Sequence, residues 1–144
     1  MPPPAASSVT QSPPSWLPSL GGRFLVLDGP DGSGKSTQIK RLIDMARAAG
    51  TTVCDVREPG GTEVGERIRA ILLDPVHDEM TVRCEMLLYM ASRAQLVQQR
   101  FAPALARGEL VLADRFISST LAYQGAAGGV PREEIVAVGK AACG

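Results

Sequence analysis

Apolar residues recur along this chain with two different periods. Phe24-Leu25-Val26-Leu27 and Leu110-Val111-Leu112-Ala113 are short unbroken runs, each followed by an aspartate. Runs of this kind suit strands covered on both faces in a parallel sheet. They predict strands over 24–28 and 109–114, and the β-branched stretch 51–56 predicts another. Helical spacing separates them. Ile39, Leu42, Ile43 and Ala46 fall on one face of a helix over 36–49 that Gly50 stops. A second helix is expected over 64–73, with Ile68, Ile71 and Leu72 inward. The longest pattern runs over 80–105, where Val82, Met86, Leu87, Met90, Ala94, Val97 and Phe101 recur at helical steps and Pro103 should kink the end. A last helix is predicted over 131–141 around Ile135, Val136 and Val138. Strands alternating with helices give an α/β fold: a parallel sheet with helices on both faces.

Residues 1–22 break this pattern. They carry no charge and hold six of the eleven prolines together with five serines. Such a stretch buries too little apolar surface to offset its ordering entropy, so it is expected to be a disordered extension preceding a single domain over 23–144. It lacks the basic start and apolar centre of a signal peptide.

Composition narrows the function classes. The 144 residues carry no net charge and are 44% hydrophobic, with no run of transmembrane length. Neither a nucleic-acid stripe nor a membrane partner is indicated. Cys54, Cys84 and Cys143 form no close pair and read as reduced thiols of a cytoplasmic protein. His77 lies beside Asp74 and Asp78, but no second His or Cys stands at ligand spacing, so an exposed loop is the better reading.

The first strand leads into Gly29-Pro30-Asp31-Gly32-Ser33-Gly34-Lys35-Ser36, and Thr37 follows. This is a phosphate-cradling loop placed between a strand and a helix, the order the motif requires. Glycines let backbone N–H groups approach an anion, and the helix start adds a partial positive charge. Lys35 is suited to the outer phosphates of a nucleoside triphosphate and Ser36 to Mg²⁺. Asp114 closes an apolar strand and is placed to hold the same ion. Arg115 supplies a forked guanidinium for a second phosphate. The ends 28–29, 57–59 and 114–115 should meet in one crevice at the carboxyl ends of the strands.

Three segments now stand in order: the phosphate loop, Arg57-Glu58-Pro59-Gly60-Gly61-Thr62, and Asp114-Arg115-Phe116 continuing to Ser119-Thr120-Leu121-Ala122-Tyr123-Gln124-Gly125. Together with Leu88-Tyr89-Met90-Ala91-Ser92-Arg93 they resemble the thymidylate kinase family over residues 23–144. The resemblance implies a P-loop NTPase fold of the nucleoside monophosphate kinase type, with ATP as donor, Mg²⁺ as cofactor and dTMP as acceptor, giving dTDP. It implies that Lys35, Asp31 and Arg115 carry catalysis, with Asp31 near the sugar 3′-hydroxyl and Arg115 on the dTMP phosphate. Arg93 is implied to bond a thymine carbonyl, Tyr89 to stack on the ring and Thr120 to bond the base edge. Tyr123 is implied to crowd the sugar 2′ position. Glu58, Pro59, Arg69 and Gln124 are implied to line the acceptor pocket, with Pro59 after a cis peptide bond. Family members are usually homodimers packed through helices, and the pattern over 80–105 is a candidate contributor.

The chain departs from the family pattern in two respects. Gly32 stands where some members carry an arginine, a charge that other members supply from a mobile lid. The chain also stops before the positions at which the family continues into that lid and its last strands. The expectation is therefore a sheet with only three of the family's strands, a tendency of 1–144 alone to self-associate through an uncovered strand edge, and little or no turnover. Two other readings stay open: another P-loop nucleotide kinase, or a nucleotide-binding piece without catalysis.

Overall fold

The computed structural model describes residues 12–144. Three parallel strands, β1 (Phe24–Leu27), β2 (Val53–Arg57) and β3 (Leu110–Asp114), form a sheet in the order β1-β3-β2. Phe24 pairs with Val111 and Leu27 with Asp114 on one side of β3; Val53 pairs with Leu110 and Arg57 with Asp114 on the other. All three strands thus end level with one another. Side chains alternate across the sheet. Leu25, Leu110 and Val53 meet α1 (Lys35–Ala48) through Leu42 and Ala46. Phe24, Val26, Val111, Ala113, Cys54 and Val56 meet the long helix on the opposite face. The helices therefore cover both faces, as the alternation of elements predicts.

The long helix is one rod in three parts: α3 (Val82–Leu96), a π-helical turn over Val97–Phe101, and α4 (Ala102–Ala106). Pro103 lacks an N–H and its ring crowds the carbonyl of Gln99, which lies inside the widened turn. The expected kink is thus taken up one turn earlier, as a π-bulge. Phe101 leaves that turn to pack on Phe24 and Phe116, with ring centroids 5.0 and 5.7 Å away. α2 (Glu63–Leu73) is capped by Thr62, whose hydroxyl accepts from the Gly65 N–H at 3.0 Å.

Three findings differ from the sequence-based expectations. Residues 115–130, for which no element is predicted, form α5 (Ile117–Thr120) and a π-helical segment over Leu121–Ala127, followed by α6 (Arg132–Cys143). Ile117, Leu121, Val130 and Ile135 join Met86 and Met90 of α3 in a second apolar cluster. Ile71 is 43% exposed rather than inward, while Ile68 and Leu72 are partly covered. The expectation of disorder over 1–22 needs correction for its later part. Leu17, in a 3₁₀ turn over Leu17–Leu20, is fully buried against Ala46 and Leu110, and the Gly22 N–H donates to Gly108 O at 2.9 Å. One leucine inserted under α1 offsets the cost of ordering this short stretch. Residues 1–11 lie outside the described residues. No described helix is long and apolar enough to cross a membrane.

Candidate active site

The phosphate loop leaves β1 at Asp28 and enters α1 at Lys35. Gly32 and Gly34 have φ of +77° and +85°, a region that side chains with a Cβ avoid. Gly34 is the helix cap and offers no side-chain acceptor, so the first-turn N–H groups of α1 stay free for an anion. Lys35 Nζ rests on Pro30 O at 3.1 Å, a contact that a stronger acceptor would displace. Gly29, Pro30, Gly32, Ser33 and Gly34 build the loop beside the crevice, Thr37 stands in the first turn of α1, and none of the six lines the cavity.

A cavity of about 560 Å³ opens at the carboxyl ends of the strands. Asp31, Lys35, Ser36 and Asp114 line one end of it. Glu58, Pro59, Arg69, Tyr89, Arg93, Arg115, Thr120, Tyr123 and Gln124 line the remainder. The sequence-derived side chains are thus brought to one place. The cavity also takes in Arg57, expected at the crevice as a strand end, and Leu73, Glu85, Phe116 and Ser119, to which the sequence assigned no role. Glu85 precedes Tyr89 by four residues on α3, as Tyr89 precedes Arg93, so helical spacing carried its signal. Arg57, Phe116 and Ser119 stand inside the quoted motifs. Leu73 had no signal, because its place depends on how α2 packs.

The deep end of the cavity is a buried polar network. Arg93 and Glu58 have side chains only 1% and 3% exposed. Arg93 Nε donates to both Glu58 oxygens, at 3.1 and 2.9 Å, and Nη2 donates to Glu58 Oε2 at 2.7 Å and to Thr120 Oγ1 at 3.2 Å. Among the described residues Nη1 meets only the Met90 sulfur, at 3.1 Å, a weak acceptor. Nη1 is therefore the corner of the guanidinium with donor capacity to spare. Thr120, having accepted from Arg93, keeps its own proton to donate. The Arg93 guanidinium also sits 4.9 Å from the centre of the Phe116 ring. Burial raises the Glu58 carboxyl above its ordinary range, and the Arg93 bonds offset only part of this. Burial, with Glu85 beside it, likewise raises the Tyr89 hydroxyl, which keeps the ring neutral.

The loop carrying Glu58 is tied down at each step. The Glu58 N–H donates to Asp114 O at 3.1 Å, and the Glu58–Pro59 bond is cis. Arg69 donates to Pro59 O at 3.0 Å. The Gly60 N–H donates to Ser92 Oγ at 3.1 Å, and the Gly61 N–H to Glu66 Oε1 at 2.8 Å. Arg100 donates to Gly61 O at 3.2 Å.

Arg115 stands between the two ends. Its backbone has φ +71°, uncommon for a residue with a side chain. Nη2 donates to Asp31 Oδ1 at 2.8 Å, Nη1 donates to Ser119 Oγ at 3.1 Å, and the Tyr123 ring lies 5.5 Å away. The Ser118 and Ser119 hydroxyls both donate to the carboxylate of Asp28. Asp28 thereby ties the end of β1 to the start of α5.

The family model described as thymidylate kinase matches residues 27–143, which contain every cavity residue. The thymidylate kinase of Exiguobacterium sp. strain AT1b is 55% identical over 106 residues, 74% of this chain and 50% of that protein. The enzyme of that name from Pelotomaculum thermopropionicum is 52% identical over 123 residues, 85% of this chain and 57% of that protein. The crystal structure of thymidylate kinase from Ehrlichia chaffeensis superposes with a TM-score of 0.75 at 32% identity, covering 85% of this chain and 66% of that one. The chain thus spans between half and three fifths of the length of these two curated relatives. With a matching fold, and a family match that takes in both ends of the cavity, the chain belongs to the thymidylate kinase family.

Proposed function

We propose that this chain carries the acceptor site and phosphate loop of an enzyme that moves the γ-phosphoryl group of ATP to dTMP, giving dTDP. One observation carries the reading: a single cavity joins an anion-ready loop to a buried polar network. Lys35 and the first turn of α1 hold the donor's outer phosphates. Arg115 holds the acceptor phosphate and, through its pairing with Asp31, keeps a carboxylate beside the sugar. At the deep end Tyr89 offers a stacking face, Arg93 Nη1 a donor to a thymine carbonyl, and Thr120 a donor to the base edge. Tyr123, half exposed at the rim, crowds the sugar 2′ position. Ser36 and Asp114 offer a hydroxyl and a carboxylate, a donor set that suits Mg²⁺ together with phosphate oxygens. When bound there, Mg²⁺ neutralises charge on the outer phosphates. Phosphoryl transfer needs positioning and charge stabilisation above all, and these residues supply both.

Calorimetric titration of the chain with dTMP, dUMP, dCMP and dGMP tests the acceptor pocket, and a coupled assay of ATP-dependent turnover tests transfer. Preference for dTMP is expected; equal treatment of all four nucleotides would sink the thymine assignment and favour a general nucleotide kinase. Assembly as a homodimer belongs to the same proposal, since Val82 and Leu87 of α3 are exposed apolar residues that such a contact would cover. A single monomeric species by sedimentation would count against it. A cytoplasmic location is part of the reading too, as Cys54, Cys84 and Cys143 are all free thiols.

A further inference from the structure

We infer that Ser92 is a positioning residue for nucleobase recognition, acting through the loop that carries Glu58. Ser92 is fully buried, and its hydroxyl oxygen accepts from the Gly60 N–H at 3.1 Å. Its neighbour on α3, Arg93, holds Glu58 with a fork of hydrogen bonds. Helix α3 therefore grips the same short loop twice, once on each side of Pro59: at the Glu58 side chain and at the Gly60 backbone.

The two grips differ in kind. The Arg93–Glu58 contact is between long side chains with several rotatable bonds, and it fixes the carboxylate only if the backbone beneath it stays still. The Ser92–Gly60 contact is short and fixes the backbone itself. Asp114 O holds the Glu58 N–H on the strand side of the loop, but from Pro59 onward the other clamps lie nearer solvent: Glu66 on the Gly61 N–H and Arg100 on Gly61 O are exposed contacts, and Arg69 on Pro59 O is half-buried. Water can replace an exposed partner, but not one at the Gly60 N–H. Ser92 is thus the clamp beyond Pro59 whose loss water cannot make good.

The consequence passes to Arg93. Glu58 takes both Nε and Nη2, and that occupation leaves Nη1 as the nitrogen with donor capacity to spare. If the loop shifts, Glu58 releases part of the fork and Arg93 gains alternative poses. The base end of the cavity then pays an ordering cost on each binding event, while the phosphate loop, on a different segment, is untouched.

This inference rests on the reading that a thymine base occupies the deep end. The test titrates the chain with dTMP, with thymidine and with MgATP, for wild type, Ser92→Ala and Ser92→Thr. Amide exchange at Gly60 and the thermal midpoint are followed in parallel. Ser92→Ala is expected to weaken dTMP and thymidine alike, by about tenfold, to speed Gly60 exchange and to leave MgATP within about twofold. Ser92→Thr, which keeps the acceptor, is expected to restore most of the binding. Unchanged dTMP affinity in Ser92→Ala, or an equal loss for all three ligands in step with the thermal midpoint, overturns the inference while the proposed function stands. Failure of the wild-type chain to bind dTMP or thymidine at all overturns the proposed function and this role with it.

Discussion

The two ends of the cavity are built by opposite means. At the deep end, Arg93, Glu58, Thr120 and Gln124 are buried polar side chains, and none of their buried polar atoms lacks a hydrogen-bond partner among the described residues. At the phosphate end, Asp31 has a side chain 98% exposed, and a Cβ added at Gly32 or Gly34 would meet nothing. One end is a preassembled network whose partners are already inside the protein. The other is a bare backbone surface whose partner is the ligand's own charge. The difference suits what each end would bind. A neutral base brings little electrostatic energy, so its pocket must be ordered beforehand. A polyphosphate brings strong charge and can organise open N–H groups as it arrives.

If the contrast holds, removing a charge at the deep end should damage the fold as well as binding. Arg93→Met leaves the Glu58 carboxylate buried without its partner, and unfolding in urea should show a loss of about 3–5 kcal/mol. A loss under about 1 kcal/mol would mean that the network is far less tightly built than its burial indicates. The pH dependence gives the sign independently. The folded-state pKa of Glu58 is raised, so between the ordinary carboxyl range and that raised value the native state binds more protons than the unfolded chain. Its contribution to stability is therefore present at low pH and lost as pH rises through that window. Urea midpoints measured across the window should carry this downward component in wild type and lack it in Glu58→Gln.

How much of this was legible in the sequence follows the same division. The phosphate loop is local, so eight consecutive residues and their flanking apolar run announce both its place and its chemistry. The strands and α1 were equally readable, because continuous apolar runs and a clean helical face are local patterns. The deep end is not local. Arg93 stood out only through the resemblance carried by 88–93; its pairing with Glu58 needs α3 laid against the 58–61 loop, and Ser92, inside the same motif, was given no role. Residues 117–127 were missed as helix for a related reason: Ser118, Ser119, Thr120 and Gly125 are weak helix formers, and the segment coils only because Ile117 and Leu121 have α3 and α6 to pack on. Leu17 was missed because one leucine among prolines and serines makes no period.

At the open end the expected pattern reverses: function falls while the fold does not notice. Among the described residues the Lys35 ammonium bonds only a backbone carbonyl of its own loop. Lys35→Met should weaken MgATP binding by about 10- to 100-fold, the loss of a charged hydrogen bond to phosphate. The urea midpoint should move by no more than about 0.5 kcal/mol equivalent, as for a surface change. A marked loss of stability would show that the loop is organised before ligand arrives, and the contrast between the two ends would fail.

The smallest effects offer the sharpest test, because two glycines share nearly the same φ and stand in different surroundings. Gly61, beside the deep end, and Gly32, in the phosphate loop, have φ of +79° and +77°. An alanine pays the same left-handed strain at either, about 1–2 kcal/mol. At Gly61 the new Cβ would lie 2.8 Å from Leu96 Cδ1, and Leu96 is itself fully buried and has little room to move. At Gly32 the Cβ would enter open space. Gly61→Ala should therefore cost about 2–4 kcal/mol, the strain plus an overpacking term, and Gly32→Ala only the strain. The difference between the two variants cancels the backbone contribution and isolates packing. Equal costs would mean that Leu96 yields freely and that the wall beneath the Glu58 loop is soft. A clear excess at Gly61 would show that the deep end is held rigid from below by Leu96, beside the Ser92 and Arg93 that grip it from the same helix.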